Sequence, residues 1–529
     1  MGVPAVEVQG AIRTRLAAAP PPPLTADEWK HVKKLYAAFN QALLWVDDKG
    51  MQHPRVSAML NALASADSDG LKLDAYPLAE LARALGAIDA QRPTAAELAD
   101  ADVMLSASFA TYGETMLTGQ VRPGSLGQAW HINPLEEKVD SALALTLRED
   151  DFAAGLVRMR PQDAKYDSLR TKFAEFRAFV ASHPAWGTVP EGKPLKPRDT
   201  DSPVRLAALR ARLRAEGYLP DSTATPATDS AAQRPGGRVY DRELAGAVAA
   251  FQARHSIGVD SMLGKETVDA MNVPAPYRLA QIAANLERYR WIPRSLGSRY
   301  VMVNVPEFRL EAFDSGQKSL EMKVIVGQEY ENKATPVFSD SMEFVIFRPF
   351  WNVTPDIAAK EIFPKEASNP GYLAANDMEV YTDHGRKAVR QRPGPKNALG
   401  FVKFIFPNDY NIYLHDTPNH ELFKKDVRAF SHGCIRVEKP AELAQWVLGW
   451  TPEKVQAQMD GADNHQVNLP AKLPVYILYF TTFVTDGQLN FGNDLYDRDN
   501  KLVTELESIA ISSPETVRAQ AALRALASK

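Results

Sequence analysis

The hydrophobic pattern of the chain changes near residue 299, and this change limits the folds available to it. Before that point apolar residues recur every three or four positions, which is the spacing of amphipathic helices. After it they alternate or form short runs rich in β-branched and aromatic residues, which is typical of strands. The 529 residues are too many for one core. We therefore expect an α+β multidomain protein with a helical N-terminal part and a β-rich C-terminal domain.

The first 200 residues divide into a short leader and a helical domain. Residues 1–23 end in an alanine run followed by four prolines, which predicts a stiff, extended leader. Thr25 and Glu28 have the spacing of a capping box, which predicts the start of a helix. Apolar residues continue at helical spacing beyond it, so we interpret residues 24–200 as a helical domain with the apolar stripes as its core.

Residues 201–273 form a small predicted unit. The stretch 221–238, rich in Ser, Thr, Ala, Pro and Gly, separates its first two helices and is interpreted as a flexible insertion. The unit resembles the three-helix peptidoglycan-binding domain, and the matching residues are Phe251, Gln252, Gly258, Asp260, Gly264 and Thr267. Ser261 departs from the usual glycine, and a generic helical spacer is the alternative.

The same sequence patterns predict the organisation of residues 274–529. A helix within residues 274–298 links the small unit to a β-rich domain over residues 299–510, for which we expect a sandwich-like or barrel-like sheet. Residues 353–398 interrupt that domain with a polar, Pro- and Gly-bearing segment, and long insertions of this kind are often functional lids. A disordered excursion is the alternative. A serine-proline pair predicts a last helix within residues 511–529.

Composition argues against several classes of function. The chain has 61 Lys and Arg against 65 Asp and Glu, so it lacks the basic surplus of a nucleic-acid-binding protein. No apolar stretch is long enough to span a bilayer, and no signal peptide is visible, which leaves a cytosolic protein and a trimmed N-terminus as alternatives. The single cysteine, Cys434, excludes an intramolecular disulfide. We interpret His255 as a surface or structural histidine.

The neighbours of Cys434 indicate a chemical role for it. A free thiol has a pKa of about 8.5, and a nearby imidazole can accept its proton to give the nucleophilic thiolate. His432 lies two positions before Cys434, and His415 ends a predicted strand nineteen positions before it. The N–H groups of Gly433 and Cys434 are candidates for an oxyanion hole. Together these groups indicate acyl transfer through a thioester.

This pattern resembles the active-site signature of the L,D-transpeptidases, which have a YkuD-type catalytic domain. The matching residues are His415 and, after fifteen others, Ser431-His432-Gly433-Cys434. The resemblance extends over about residues 299–500. With the helical N-terminal region and the peptidoglycan-binding unit, it resembles the large Gram-negative, YcbB-like type with a scaffold domain and a substrate-capping insertion. Arg436 stands where many members have asparagine, and we interpret it as a mark of that type.

The resemblance implies a role for each residue of the site. Cys434 would be the nucleophile and His415 its general base, oriented by a backbone carbonyl near Asp416. His432 would support the site, and the hydroxyl of Tyr413 would lie near the oxyanion. The residues expected to bind substrate are Ser431, Asp416, Arg436, Trp351, Tyr372 and Arg392, the last two on the capping insertion 353–398.

The resemblance also implies a reaction and a location. Cys434 would attack the carbonyl of the third residue, normally diaminopimelate, of a peptidoglycan tetrapeptide stem and release D-Ala. The diaminopimelate amine of a second stem would then resolve the thioester into a 3→3 cross-link. No metal or organic cofactor is required. The expected location is the periplasm or cell envelope, with other cell-wall synthesis enzymes as candidate partners and carbapenems as inhibitors that acylate Cys434.

Three alternatives stay open at this point. With water as the acceptor, the protein would be an L,D-carboxypeptidase or a cysteine peptidase. A non-catalytic scaffold that binds the cell wall would not need the Ser-His-Gly-Cys sequence. A zinc site would have suitable ligand types but no common zinc-binding spacing, and its candidate ligands are His415, His420, His432 and Cys434.

Overall fold

The protein combines a helical N-terminal part with a β-rich C-terminal domain, as expected from the change in hydrophobic pattern. Their buried apolar side chains form separate clusters, one of which continues from the linking helix into the sheet. The predicted flexible insertion 221–238 lies outside the described residues except for its last position. The computed structural model describes residues 3–47, 50–51, 53–90, 93–127, 130–132, 138–183, 186–220, 238–329, 333–506 and 512–527.

The N-terminal domain surrounds one long central helix, α5. The helices are α1 (Ala5–Ala17), α2 (Ala26–Ala38), α3 (His53–Ser65), α4 (Leu78–Ala90), α5 (Ala95–Thr118), α6 (Val139–Arg148), α7 (Phe152–Met159) and α8 (Ala164–Ser182), with a short ladder of β1 (Val46–Asp47) and β2 (Gly50–Met51). Helix α5 is buried on nearly all sides, as befits the centre of a bundle. Thr25 and Glu28 form the predicted capping box at the start of α2.

The leader differs from its prediction. Residues 5–17 form helix α1 instead of an extended segment. Val8, Ile12 and Leu16 bury one face of α1 against the core that contains α5. Their spacing of four residues is a helical signal. The prediction was wrong because it extended the stiffness of the four prolines back over the whole leader.

The small unit contains the three predicted helices, α9 (Pro203–Ala215), α10 (Arg242–Arg254) and α11 (Lys265–Met271), around its own core. The side chain of Gln252 holds the turn between α10 and α11. Its Nε2 donates to Asp260 Oδ1 at 2.8 Å, and its Oε1 accepts from the backbone N–H groups of Asp260 and Ser261. Ser261 has a φ of 60°, a left-handed conformation that explains why glycine is usual there.

The linking helix α12 (Ala275–Arg290) is almost completely buried between the two halves of the molecule. It packs against α8 and against α18 (Asn500–Leu506), a helix near the end of the β-rich domain. The last helix, α19 (Pro514–Ala527), returns to pack on α3 and α4. Within the described residues, no helix has both the length and the apolar character needed to cross a bilayer.

The β-rich domain is built on a sheet that closes on itself. Strands pair in the order β12-β5-β13-β11-β10-β6-β14-β3-β4, and β4 also pairs with β5, which closes the sheet on itself. The predicted sandwich-like or barrel-like domain is therefore barrel-like in its connectivity. The strands outside the insertion are β3 (Arg299–Asn304), β4 (Arg309–Asp314), β5 (Gln317–Gly327), β6 (Phe338–Phe347), β10 (Val402–Ile405), β11 (Leu414–His415), β12 (Ala429–Ser431), β13 (Ile435–Val437) and β14 (His465–Leu478).

Further elements complete this domain. Helices α16 (Pro440–Leu448) and α17 (Pro452–Asp460) lie between β13 and β14 in the chain, and α16 starts at Pro440 and ends before Gly449. Strands β15 (Thr482–Thr485) and β16 (Gln488–Phe491) form an antiparallel hairpin.

The insertion at 353–398 is a folded subdomain. Its three-stranded sheet has the order β7-β9-β8, and a short cluster of apolar residues supports it. Its buried residues are Val353, Ala358, Ile362 and Val389. The insertion is therefore a folded segment and not a disordered excursion. Its elements are β7 (Trp351–Asn352), α13 (Pro355–Ile357), α14 (Phe363–Ser368), α15 (Tyr372–Ala375), β8 (Met378–Asp383) and β9 (Arg386–Gln391), with a π-helical turn (Ala358–Ile362) between α13 and α14.

Candidate active site

The register of three neighbouring strands brings polar side chains together. On the antiparallel pair β10–β11, Lys403 lies opposite His415. On the parallel pair β11–β13, His415 lies opposite Arg436. Residues paired across neighbouring strands share one face of the sheet. One base and two cations are therefore side by side on this face.

Cys434 and Tyr413 extend the same face. Alternate residues of an extended segment point to the same side. Tyr413 therefore lies on the same side as His415, and Cys434 on the same side as Arg436. The backbone N–H of Ile435 donates to the carbonyl of Tyr413 at 3.1 Å, which fixes the two segments together. Ile435 and its partner Leu414 point to the other side, where both are fully buried in the core. The register thus brings Cys434, His415, Tyr413 and Arg436 to one place, as the sequence motif predicted.

The imidazole of His415 is buried and held in one tautomer. Its Nδ1 lies 2.5 Å from the backbone carbonyl oxygen of Asp416. Because a carbonyl can only accept, Nδ1 carries the proton and Nε2 is left with a free lone pair. This is the orienting carbonyl that the resemblance implied. Burial, and then the charges on Arg436 and Lys403, lower the pKa of His415 to about 3, so the ring is neutral near pH 7.

The thiol of Cys434 is half-buried and protonated at rest. Burial raises the pKa of the thiol, while hydrogen bonding from Tyr413 and the charges on Lys403 and Arg436 oppose that increase. Sγ lies 3.5 Å from the backbone carbonyl oxygen of Asn411, to which the thiol can donate. The resting pair is therefore a thiol and a neutral imidazole. A thiolate formed during reaction has two nearby cations to stabilise it.

Lys403 is a site residue that the sequence motif did not identify. It is half-buried, and its Nζ lies 5.1 Å from the ring centroid of Tyr413. Burial lowers the pKa of Lys403, and the negative charge of an ionised Cys434 would raise it again. Among the described residues, neither Lys403 nor Arg436 forms a salt bridge with an acidic side chain, and Arg436 Nε is buried without a hydrogen-bond partner. The feature that identifies Lys403 as a site residue is its position opposite His415 on the neighbouring strand.

The turn before Cys434 is shaped by Ser431, and the expectation that Ser431 binds substrate stays a prediction. Its Oγ donates to the carbonyl oxygen of Cys434 at 2.5 Å and accepts from the N–H of Gly433 at 3.1 Å. Ser431 is buried, and these two hydrogen bonds organise the turn. Because the Gly433 N–H is already bonded, it is not a free oxyanion donor in this structure. Gly433 has a φ of 115°, which accounts for glycine at this position.

Asp416 is held by backbone hydrogen bonds to its carboxylate, and the expectation that it binds substrate stays a prediction. Its carboxylate accepts from the backbone N–H groups of Phe401 at 2.9 Å and Thr417 at 2.7 Å. It is buried and lies 3.7 Å from His420 Nε2.

The zinc hypothesis gains no support, since the described part of the chain contains no group of three His, Cys, Asp or Glu residues placed to hold a metal.

His432 contacts the insertion. Its Nε2 lies 2.5 Å from Glu361 Oε1, on the π-helical turn of the insertion. A cleft of about 630 Å³ is lined by this part of the insertion and by His432. Lys333 lines this cleft too, with its Nζ 4.0 Å from the Glu361 carboxylate. We call the His432–Glu361 pair the latch. The polar residues that line the cleft are Lys333, Asp356, Lys360, Glu361 and His432.

The three residues predicted to bind substrate from the lid side do not line this cleft. Trp351 and Tyr372 pack against the apolar cluster of the insertion. Arg392 is exposed, and its Nη2 lies 2.6 Å from Glu379 Oε2. These side chains stabilise the insertion itself. Their assignment to substrate binding is not supported by their contacts.

Comparison with known proteins adds independent information. Family models match the chain over three segments, with the descriptions "L,D-transpeptidase catalytic domain" over residues 298–476, "Scaffold domain" over residues 30–173 and "Putative peptidoglycan binding domain" over residues 204–271. A curated Haemophilus influenzae protein named "Putative L,D-transpeptidase" is 30% identical over 242 residues, 42% of this chain and 48% of the relative. The chain thus spans about half the length of that relative.

Two solved structures are similar in part. One is an L,D-transpeptidase from Xylanimonas cellulosilytica, with 16% identity, coverage of 55% of this chain and 100% of the other, and a TM-score of 0.18. The other is a fused Zn-dependent amidase/peptidase/peptidoglycan-binding protein from Clostridium acetobutylicum, with 13% identity, coverage of 54% and 100%, and a TM-score of 0.16. With TM-scores this low, neither bears on the fold or the site.

Proposed function

We propose that the chain forms 3→3 cross-links between peptidoglycan tetrapeptide stems through a thioester on Cys434, a proposal supported by the match of residues 298–476 to the L,D-transpeptidase catalytic domain model. One observation carries the proposal. A thiol, a neutral imidazole with a free Nε2 and two cations without acidic partners share one face of three adjacent strands, within the described residues. This set suits attack on the carbonyl of an anionic peptide.

Acylation begins with proton transfer from the thiol. Nε2 of His415 accepts the proton of Cys434, and Sγ attacks the carbonyl carbon of the third stem residue, diaminopimelate. Lys403 and Arg436 stabilise the negative charge that develops on the sulfur and the substrate. The imidazolium then donates its proton to the amine of D-Ala, the C–N bond breaks, and a thioester remains. With a pKa of about 3, protonated His415 is a strong acid toward that amine.

Deacylation reverses the proton path. The side-chain amine of a second diaminopimelate attacks the thioester carbonyl and gives a proton to His415 Nε2. The C–S bond breaks, the sulfur leaves as a thiolate, and His415 returns the proton to it. If water takes the place of the amine, the same steps release a tripeptide, which is the carboxypeptidase outcome.

The charge of the site supports a stem peptide as substrate. Stem peptides carry free carboxylates, and a half-buried guanidinium such as that of Arg436 binds carboxylates well. The matches to scaffold and peptidoglycan-binding families fit the same substrate and a location in the periplasm or cell envelope. Carbapenems, whose strained carbonyl is attacked by nucleophiles, should acylate the same cysteine.

The test is direct product analysis. The protein and its Cys434→Ala variant are incubated with purified disaccharide-tetrapeptide, and the products are identified by mass spectrometry. Loss of D-Ala together with a 3→3 dimer, in the wild type alone, is the expected result. Monomeric tripeptide as the sole product would favour the carboxypeptidase. Unchanged substrate in both samples would reject the proposed reaction.

A further inference from the structure

The peptide bond between Gly433 and Cys434 is held by a residue from outside the catalytic motif. Thr335, in the segment between β5 and β6, donates from its hydroxyl to the carbonyl oxygen of Gly433 at 2.8 Å. The two residues are 98 positions apart in the chain, and Thr335 is completely buried. The proposed reaction gives Thr335 no part, although its side chain contacts the turn that carries the nucleophile.

The hydroxyl proton of Thr335 has a single direction open to it. The backbone N–H of Gly327, at the end of β5, donates to Thr335 Oγ1 at 3.0 Å. A carbonyl oxygen can only accept, so the contact with Gly433 must use the hydroxyl proton. The hydroxyl therefore accepts from β5 and donates to the catalytic turn, which joins the two.

The side chain of Tyr496 fixes the backbone on either side of this contact. Its hydroxyl accepts from the N–H of Thr335 at 3.2 Å and donates to the carbonyl oxygen of Gly327 at 2.7 Å. Arg498 Nη2 donates to the carbonyl oxygen of Thr335 at 3.2 Å. Both Tyr496 and Arg498 are buried. Hydrogen bonds in buried surroundings are costly to break, so Thr335 has little freedom to move.

The backbone around Thr335 is packed too closely to leave room for a side chain at Gly327. A Cβ atom there would collide with the carbonyl oxygen of Lys333 and would lie 3.0 Å from the Cα of Gly433. Glycine allows this close approach of backbone to backbone. The approach brings Thr335 within hydrogen-bond reach of the catalytic turn.

The contact with Thr335 fixes the direction of a second group, the N–H of Cys434. A peptide unit is planar and trans, so its C=O and N–H groups point in opposite directions. By holding the carbonyl of Gly433, Thr335 also sets the direction of the Cys434 N–H, which belongs to the same peptide. Among the described residues that N–H donates to no other group, whereas the Gly433 N–H donates to Ser431. The Cys434 N–H is therefore the donor that this turn can offer to an oxyanion.

We propose that Thr335 is a positioning residue, kept in place by Tyr496, that holds the Cys434 N–H ready to donate to the oxyanion. Without the contact the Gly433–Cys434 peptide rotates more freely, since Gly433 has no Cβ to restrict its backbone. A donor that must reorient during the reaction stabilises the transition state less than one already in place. The inference rests on the proposed function for one step, the attack of Cys434 on a carbonyl carbon.

Two reactions of the same thiol separate this role from a merely structural one. Acylation by a carbapenem passes through an oxyanion, because Sγ attacks the lactam carbonyl carbon before the C–N bond breaks and the nitrogen takes up the proton. Alkylation by iodoacetamide forms no oxyanion, because Sγ displaces iodide from a saturated carbon and the thiol proton goes to the buffer. The full chain has one cysteine, so intact-mass analysis of either adduct reports on Cys434.

Thr335→Val keeps the shape of the side chain and removes its hydroxyl. We expect the acylation rate to fall by about ten-fold or more, while the alkylation rate stays within about two-fold of the wild-type rate. Thr335→Ser restores the donor and should recover most of the acylation rate. Thr482→Val is the matched control, because Thr482 is a buried threonine of the same domain whose hydroxyl has no hydrogen-bond partner within the described residues.

The possible outcomes distinguish this inference from the proposed function. Unchanged acylation in Thr335→Val, or an equal fall in acylation and alkylation, would overturn the inference alone. If Thr335→Val does not fold, Tyr496→Phe decides, since it removes the hydroxyl that holds Thr335. We expect it to slow acylation by about three-fold or more with alkylation unchanged, and an unchanged acylation rate would overturn the inference. A wild-type protein that is alkylated but never acylated would instead reject the proposed function, and the role of Thr335 with it.

Discussion

At the scale of single residues, the charges around the thiol decide which protonation states are available. Lys403 and Arg436 both disfavour protonation of His415, and both favour ionisation of Cys434. In the proposed proton transfer from Cys434 to His415 the two effects oppose each other, since the cations make the imidazole a weaker base while they stabilise the thiolate and the charge that develops on the substrate. The sequence motif contains only one of these cations.

Lys403→Met should slow acylation, because the lost stabilisation of the thiolate and of the charge that develops on the substrate outweighs the gain in basicity of His415. Without this cation the thiolate loses stabilisation, and the pKa of His415 rises from its value of about 3, so the acid limb of the pH–rate profile moves to higher pH. We expect a fall of about ten-fold in the rate at which a carbapenem acylates Cys434 at neutral pH, followed by intact-mass analysis. Cys434→Ala should give no adduct. Lys30→Met, at an exposed lysine of α2, is the matched control, and an unchanged rate and pH profile in Lys403→Met would refute the role.

His415 should also make stability depend on pH. Its pKa is about 3 in the folded protein and about 6.5 in the unfolded chain, so the unfolded chain binds the proton more readily below pH 6.5. Its contribution is fully present above that pH and is lost progressively as the pH falls towards 3. Between pH 7.5 and pH 5 this amounts to about 2 kcal/mol.

Urea unfolding at these two pH values checks the linkage. The His415→Asn variant lacks the titrating ring and keeps a side-chain donor near the Asp416 carbonyl. We expect its free energy of unfolding to fall by about 2 kcal/mol less than that of the wild type between the two pH values. Parallel pH dependences in the two proteins would show that His415 is not buried in the neutral form.

At the scale of secondary-structure elements, residues in local sequence motifs could be predicted, whereas contacts that depend on the register of distant strands could not. Cys434, His415 and Tyr413 could be predicted because each stands in a short motif whose chemistry is local. Lys403 and Glu361 could not, because their proximity to the site depends on strand pairing and on how the insertion folds back. Helix α1 was missed for a different reason, since a strong proline signal outweighed a weaker helical pattern.

The latch between His432 and Glu361 gives the insertion a defined contact with the catalytic turn. If the insertion excludes water from the acyl-enzyme, losing the latch should let water compete with the amine acceptor. Glu361→Ala is expected to raise the ratio of hydrolysis to cross-linking by about three-fold or more, measured from the tripeptide and dimer products. Asp383→Ala, at an exposed position on the same insertion, should leave the ratio unchanged. An unaltered ratio in a folded Glu361→Ala protein would argue against a lid.

At the scale of the whole molecule, α12 joins the helical part to the β-rich part through buried charges. Arg290 pairs with Glu287 at 2.6 Å, and the N–H of Val121 in the N-terminal domain donates to the same glutamate at 2.8 Å. Arg288 pairs with Asp499 at 2.6 Å, and both side chains are fully buried. Helix α12 contacts elements on both sides. The two halves should therefore gain and lose stability together.

Asp499→Asn tests this coupling. The substitution leaves the guanidinium of Arg288 buried without its counter-charge, so we expect a loss of about 3 kcal/mol in the free energy of unfolding. Asp460→Asn, at an exposed position at the end of α17, should change it by less than about 0.5 kcal/mol. Hydrogen-exchange mass spectrometry should then show faster exchange in both α5 and β14, because α12 supports the cores on both sides. Faster exchange confined to the β-rich domain would mean that the two halves are stabilised independently and that α12 is only a linker.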